Sequence, residues 1–235
     1  MKFRVFIPVF LSLFSIRASG QPAETPVWLV KKTNDFTFSG GGSSPEWTKT
    51  DWLELSRRKN DQVAYQTAVK MLYSETGIYC LFRCEDQTIT ATMKEDFLDL
   101  WNEDVVEAFF WPDRSFPVYF EYELSPLNYE LPILVPNHKG EFLGWRPWHY
   151  EGDRKTRHAT LIHKNAGDVQ SWTAEFFIPF ALLKPLPNSL PKKGSRWRAN
   201  FYRVDYDQGT TTWSWAPVRT NFHDYERFGI LAFEE

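Results

Sequence analysis

The sequence predicts an all-β fold, a sandwich or a barrel, and three observations carry that prediction. Short segments rich in Val, Ile, Phe, Tyr and Trp recur between turn signals. Convincing helical periodicity is scarce. The one helical-looking segment, FALLKPL at 180–186, is held to a turn or two by Pro185 and Pro187, because proline removes a helix hydrogen bond and clashes with the preceding turn.

Taken in order, the chain opens with Lys2 and Arg4, an apolar stretch from Val5 to Ile16, and the small residues Ala18, Ser19 and Gly20. That is the layout of a secretory signal cleaved near Gly20, and it is too short for a membrane span. Residues 1–20 are therefore set apart as a signal peptide, and residues 21–235 are expected to form a single domain in the secreted or periplasmic space. No later segment is apolar for long enough to cross a bilayer as a helix. The Gly/Ser-rich stretch FSGGGSSPEW, residues 38–47, reads as a flexible connection, since ordering consecutive glycines costs entropy, and it lacks the lysine of a phosphate-cradling loop.

TAVKMLY, SETG and IYCLFRC follow, a hairpin with Gly77 near its turn. Cys80 and Cys84 fall on one face of its second strand. Four residues of strand separate Cα atoms by roughly 13 Å, beyond disulfide reach, so both are expected as free buried thiols. Further strand candidates are DVVEAFF, VYFEYEL, ELPILV, RHATLIHK, WTAEFFIP, RWRANFYRVD and the terminal FGILAFEE.

Charge excludes some functions. Without the signal, 24 Lys and Arg face 30 Asp and Glu, a mildly acidic chain. Nucleic acid or an anionic membrane surface would call for clustered positive charge. Catalytic signatures are also missing. The carboxylates Glu103, Asp104, Glu107, Glu121, Glu123 and Glu130 could serve a glycoside hydrolase, but no spacing selects an acid and a base. There is no G-x-S-x-G nucleophile elbow, and the five histidines form no compact metal motif. RVDYDQG, with Asp205 and Asp207, offers hard oxygen ligands for calcium, although two aspartates near a turn also serve the turn itself.

Binding is the better reading. With 11 Trp, 10 Tyr and 20 Phe the chain is 17% aromatic, more than a core of this size needs. Sugar rings pack their C–H faces on flat aromatic surfaces, while their hydroxyls seek carboxylates, amides and guanidinium groups. Trp101, among Glu103, Asp104 and Glu107, has that composition; the plain alternative is that it caps the core. Alternation along DVVEAFF puts Val105, Glu107 and Phe109 on one face and Val106, Ala108 and Phe110 on the other. An acid among apolar neighbours needs donors, either from an internal arginine such as Arg198 or Arg203 or from ligand hydroxyls. Glu121 and Glu123 likewise share one face of their strand, consistent with a polar concave surface or with a solvated outer face.

GIYCLFRCEDQTI, LWNEDVVEAFF, the stretch from Trp172 to Asp205, WSWAP and NFHDYERFGILAF together resemble carbohydrate-binding module family 9 and its stand-alone relatives, from about Gln66 to Phe233. The resemblance implies a two-sheet antiparallel β-sandwich of jelly-roll type, with little helix, that clamps a sugar of a poly- or oligosaccharide between two aromatic side chains. It implies a non-catalytic role in support of carbohydrate catabolism, with glycoside hydrolases as partners. Trp101 falls on the first clamp position and Phe222 on the second, where tryptophan is usual. Glu107 matches a carboxylate that hydrogen-bonds sugar hydroxyls. A position often occupied by arginine falls on Glu123, and a polar position near the second clamp falls on Asn221 or Arg219. No cofactor is implied; calcium is seen in the family, with ligands that the resemblance does not place on this chain. Three rivals remain: a glycoside hydrolase acting on O-glycosyl bonds, a haem-binding domain of similar fold, for which Met71 and Met93 are the axial methionines available, and a sandwich whose clamp has degenerated.

Overall fold

A computed structural model describes residues 24–58 and 63–234. The signal peptide expected over residues 1–20 lies outside the described residues. The strands are β1 (Val27–Lys32), β2 (Leu53–Glu54), β3 (Ser56–Arg57), β4 (Thr67–Tyr73), β5 (Gly77–Glu85), β6 (Val105–Trp111), β7 (Val118–Leu124), β8 (Glu130–His138), β9 (Glu141–Phe142), β10 (Arg146–Pro147), β11 (Arg157–Asn165), β12 (Asp168–Pro179), β13 (Arg196–Asp205), β14 (Thr211–Ser214) and β15 (Gly229–Phe233). The expected helical segment is a single short α1, Phe180–Leu183.

These strands form the two faces of a sandwich. The first runs β10-β8-β7-β6-β13, with β14 on the C-terminal half of β13 and β15 on its N-terminal half; the second runs β4-β5-β12-β11. β1 joins them: Val27–Val30 pair with Ile230–Phe233 of β15, then Lys31 and Lys32 pair with Leu72 and Tyr73 of β4. Both pairings are parallel, an exception to the antiparallel pattern that sequence-local hairpins lead one to expect.

Alternation assigns the faces. Val106, Ala108 and Phe110 of β6, and Phe120, Tyr122 and Leu124 of β7, meet Cys80, Phe82, Cys84, Trp172, Ala174 and Phe176 of the second sheet in one buried core. The two cysteines are free thiols within it. Gly77 closes the β4–β5 hairpin, and a Cβ there would lie 2.4 Å from the Ile178 carbonyl oxygen. The opposite face of the first sheet carries a second apolar cluster with Val105, Phe109, Tyr119, Ile133 and Tyr202, roofed by Leu100, Tyr225 and Phe228 from the loops.

The Gly/Ser-rich stretch is not a loose connection. Buried Glu175 on β12 accepts hydrogen bonds from Gly40 N (2.8 Å), Gly42 N (3.0 Å) and Trp47 Nε1 (2.6 Å), while the Thr173 hydroxyl donates to Gly40 O (2.6 Å). Gly40 has φ +93°, and a Cβ there would come within 2.9 Å of the Ala159 carbonyl carbon, so glycine serves a close approach of backbone to backbone.

Candidate functional site

Trp101 sits half-buried on a 3-10 turn, Leu100–Asn102, just before β6. The acids beside it do different work. Glu103 accepts from Thr92 N (2.6 Å), Met93 N (2.9 Å) and the Thr92 hydroxyl. Asp104 accepts from Thr90 N (2.6 Å) and Tyr206 N (2.9 Å), and the Tyr206 hydroxyl donates to the Trp101 carbonyl (2.8 Å). Glu103 and Asp104 thus fix the loop that presents the indole, and Glu107, on the strand, is the acid left for the site.

A cavity of about 500 Å³ opens over the outer face of the first sheet. Glu107, Glu121 and Glu123 line it from β6 and β7, Trp101, Trp145 and Tyr206 from one set of loops, Phe142 from β9, and Asn221, Phe222 and Arg58 from further loops. Trp101 meets Trp145 edge-on, with ring centroids 5.3 Å apart and planes at 71°. Phe222 stacks on Tyr202 at 4.0 Å and 10°, and the Arg58 guanidinium lies 5.1 Å from its centroid. The phenyl is therefore a wall backed by Tyr202, with Arg58 beside it.

The predicted Trp101, Phe222, Glu107, Glu123 and Asn221 come together here. Arg219 does not: its side chain is exposed, and its backbone N–H caps Asp224 Oδ2 at 2.8 Å. Neither interior arginine pairs with Glu107. Arg203 crosses to the core side and binds Asp86 (2.9 Å) and Asp205 (2.6 Å), and Arg198 donates to the Glu226 carbonyl (2.8 Å). The cation at the cavity is Arg58, which sequence reading missed along with Trp145, Tyr206 and His223. None of these four has a local signature, because each reaches the cavity from a loop or edge distant in sequence.

The electrostatics follow from register. Glu107 pairs directly with Glu123 across β6 and β7, and Glu121 lies two residues along on the same face. All three are buried. Burial pushes Glu107 up to about 8, with Arg58 pulling the other way. Burial, followed by repulsion from Glu107, raises Glu121 and Glu123 well above the ordinary carboxylate range, Glu121 adding to the rise at Glu123. Both Glu123 carboxyl oxygens, Glu121 Oε2 and Arg58 Nε are buried without a hydrogen-bond partner among the described residues. His223, pushed down to about 4 by burial, is neutral; its Nδ1 shares a 2.7 Å hydrogen bond with the Tyr119 hydroxyl, and Phe142 stacks on its ring at 4.0 Å. A site so built offers aromatic walls, a base of acids able to donate and accept, and an arginine.

A larger cleft of about 1130 Å³ lies along residues 35–46 on the far side of the second sheet. Of its charged groups, Asp35, Asp153 and Arg157 are exposed to water and half-buried Glu46 is bonded to Thr33 and Lys49, so it lacks desolvated polar groups in want of a ligand.

The loops below Trp101 bring Asp86, Asp104 and Asp207 together, one carboxylate oxygen of each lying within 4.8 Å of the others. Hard carboxylate oxygens suit calcium. Asp207 Oδ1 is buried and unpartnered, and burial raises Asp86 and Asp104 to about 7, a setting that a dication would relieve. Asp205 and one oxygen of Asp86 also bind the Arg203 guanidinium. The donor set fits the ion.

Comparison with known proteins gives concordant results. The model of the family described as carbohydrate family 9 binding domain-like matches residues 40–235. A curated relative from Arthroderma benhamiae, named "Extracellular protein", is 26% identical over 187 residues, 72% of this chain and 78% of its own length. The chain superposes on a Bacteroides uniformis crystal structure, provisionally assigned to carbohydrate binding, with a TM-score of 0.73 at 16% identity, covering 90% of this chain and 100% of that one. A family 9 carbohydrate-binding module from Caldicellulosiruptor kristjanssonii, in complex with cellotriose, gives a TM-score of 0.61 at 13% identity, covering 88% and 94%.

Proposed function

The chain belongs to the carbohydrate family 9 binding domain-like family, and on that premise we propose that it is a non-catalytic carbohydrate-binding protein whose ligand enters the cavity over β6 and β7. One observation carries this reading: the cavity combines aromatic walls at Trp101 and Trp145 with buried carboxyl groups that protein donors leave unsatisfied. A sugar residue supplies what both lack, a C–H face for the indoles and hydroxyls for the acids. Trp101 is the principal stacking surface, Glu107 and Glu123 hydrogen-bond hydroxyls, and Asn221 and Arg58 close the opposite side. Phe222, backed by Tyr202, narrows the cavity rather than presenting two free faces.

Secretion fits this reading, through the leader expected at residues 1–20, and so does a relative named as extracellular. Glycoside hydrolases acting on the same glycan are the expected partners. Calcium held by Asp86, Asp104 and Asp207 would brace the loop that carries Trp101, since Asp104 also anchors Tyr206. The test is titration of the tryptophan fluorescence with glucose and cellotriose, the ligands of solved family 9 modules. Quenching in the wild type that is lost in Trp101→Ala, without turnover of aryl glycosides, is the expected result. Turnover abolished by Glu107→Gln would replace binding with hydrolysis as the function.

A further inference from the structure

The charge of the cavity points beyond a neutral sugar. Among the described residues lining it, three buried glutamates face a single cationic side chain, Arg58. Three of their oxygens, both of Glu123 and Oε2 of Glu121, receive no N–H or hydroxyl donor among the described residues; Glu121 and Glu123 share a proton with each other, and neutral His223 Nδ1 lies 3.8 Å from Glu121 Oε2. Leaving a buried polar atom unsatisfied is costly, so these carboxyls are held for a polar group that arrives from outside.

A metal does not suit them. Among the described residues, Asp86, Asp104 and Asp207 are the group of three whose ligand oxygens lie within 4.8 Å of one another, and the three glutamates do not form such a group. A ligand whose donors are distributed over a ring, beside aromatic walls, suits them better. Hydroxyls alone would be met by the acids in the protonated form that burial favours, whereas a cation lets the acids release their protons to solvent and bind as carboxylates. An ammonium group brings three N–H donors and a positive charge, and it forms the stronger, charge-assisted type of hydrogen bond. The neighbouring indoles also favour a cation near their faces.

Resting on the carbohydrate reading above, we propose that the preferred ligand carries a free amino group: a glycan containing unacetylated 2-amino-2-deoxyhexose, with its ammonium at Glu121 and Glu123 and its ring against Trp101.

Calorimetric titration of the full mature chain at pH 6 decides it, using the β-1,4-linked disaccharide of glucosamine, its di-N-acetylated form, and cellobiose. The free-amine disaccharide is expected to bind at least about tenfold more tightly than cellobiose. Acetylation should abolish that advantage, added salt should reduce it, and Glu121→Gln should shrink it. Cellobiose binding as tightly as the amine in the wild type overturns the proposal and leaves carbohydrate binding intact, as does an undiminished preference for the amine in Glu121→Gln. The wild-type comparison of free and acetylated disaccharides decides the matter even if a variant fails to fold. Silence towards all three disaccharides also overturns the proposal, and the carbohydrate reading then stands or falls on the fluorescence titration with glucose and cellotriose.

Discussion

Replacing Glu107 by glutamine should make the protein more stable near neutral pH while weakening its grip on ligand. A glutamate in the unfolded chain ionises near 4.3, whereas burial holds Glu107 up to about 8. Between those values the folded state keeps a proton that the unfolded state has released, so stability must fall as pH rises. The contribution of the retained proton is complete below about pH 4.3 and has gone once pH passes through about 8. Within this window one proton changes stability by about 1.4 kcal/mol per pH unit, so from pH 5 to 7 wild type should lose about 3 kcal/mol relative to Glu107→Gln. For a folded unit of this size that is a relative shift of roughly 6 to 12 °C in Tm. Glutamine is nearly isosteric and, like the protonated acid, both donates and accepts, so the two proteins should start close together at pH 5. Scanning calorimetry of both at pH 5, 6, 7 and 8, in buffers of constant ionic strength, measures the divergence. Parallel Tm profiles across this range would refute the picture of a buried, protonated Glu107.

Three further outcomes follow from the described contacts. Glu175→Ala strips three hydrogen-bonded donors of their acceptor, and should cost about 3–5 kcal/mol in guanidinium denaturation; new proteolytic cleavage within residues 38–47 would show that the glycine loop has been released. Gly40→Ala, at φ +93° and against the Ala159 backbone, should cost about 1–3 kcal/mol by the same measurement, and a neutral result would mean that the loop can shift away. Calcium at about a hundred times its Kd should stabilise the protein by about 2.7 kcal/mol, reversed by chelator and abolished in Asp207→Asn; equal Tm values with calcium and with chelator would remove the ion from the account.

How much of this was legible in the sequence depended on range. Alternation placed Glu107 on the face opposite Ala108 and Phe110, and the structure agrees, because a strand's side-chain period leaves no other choice once its inner face is apolar. The same logic left two readings for Glu121 and Glu123, a concave site or a solvated face. Loops carrying Trp101, Trp145 and Phe222 decide between them by roofing the sheet, and no local pattern announces a roof. The glycine loop was misread for a similar reason: its acceptor, Glu175, lies 135 residues from Gly40. β1 was invisible because both of its partners are parallel and remote in sequence, so no turn precedes or follows to reveal the pairing. Arg58 escaped because its role is electrostatic and exists only where β3 runs beside β14 at the rim of the site.

The seam made by β1 has a consequence for how the molecule reaches its final form. Its Val27–Val30 half has no hydrogen-bonding neighbour until residues 229–233 arrive, and those residues must slot between β13 and β1 to complete the first sheet. A chain emerging from the ribosome, or threading through an export pore amino end first, cannot shut that seam until nearly all of it has come through. Such late closure makes the last stretch of backbone the latch of the seam: it fixes β1 on the first sheet, and β1 in turn reaches β4 of the second.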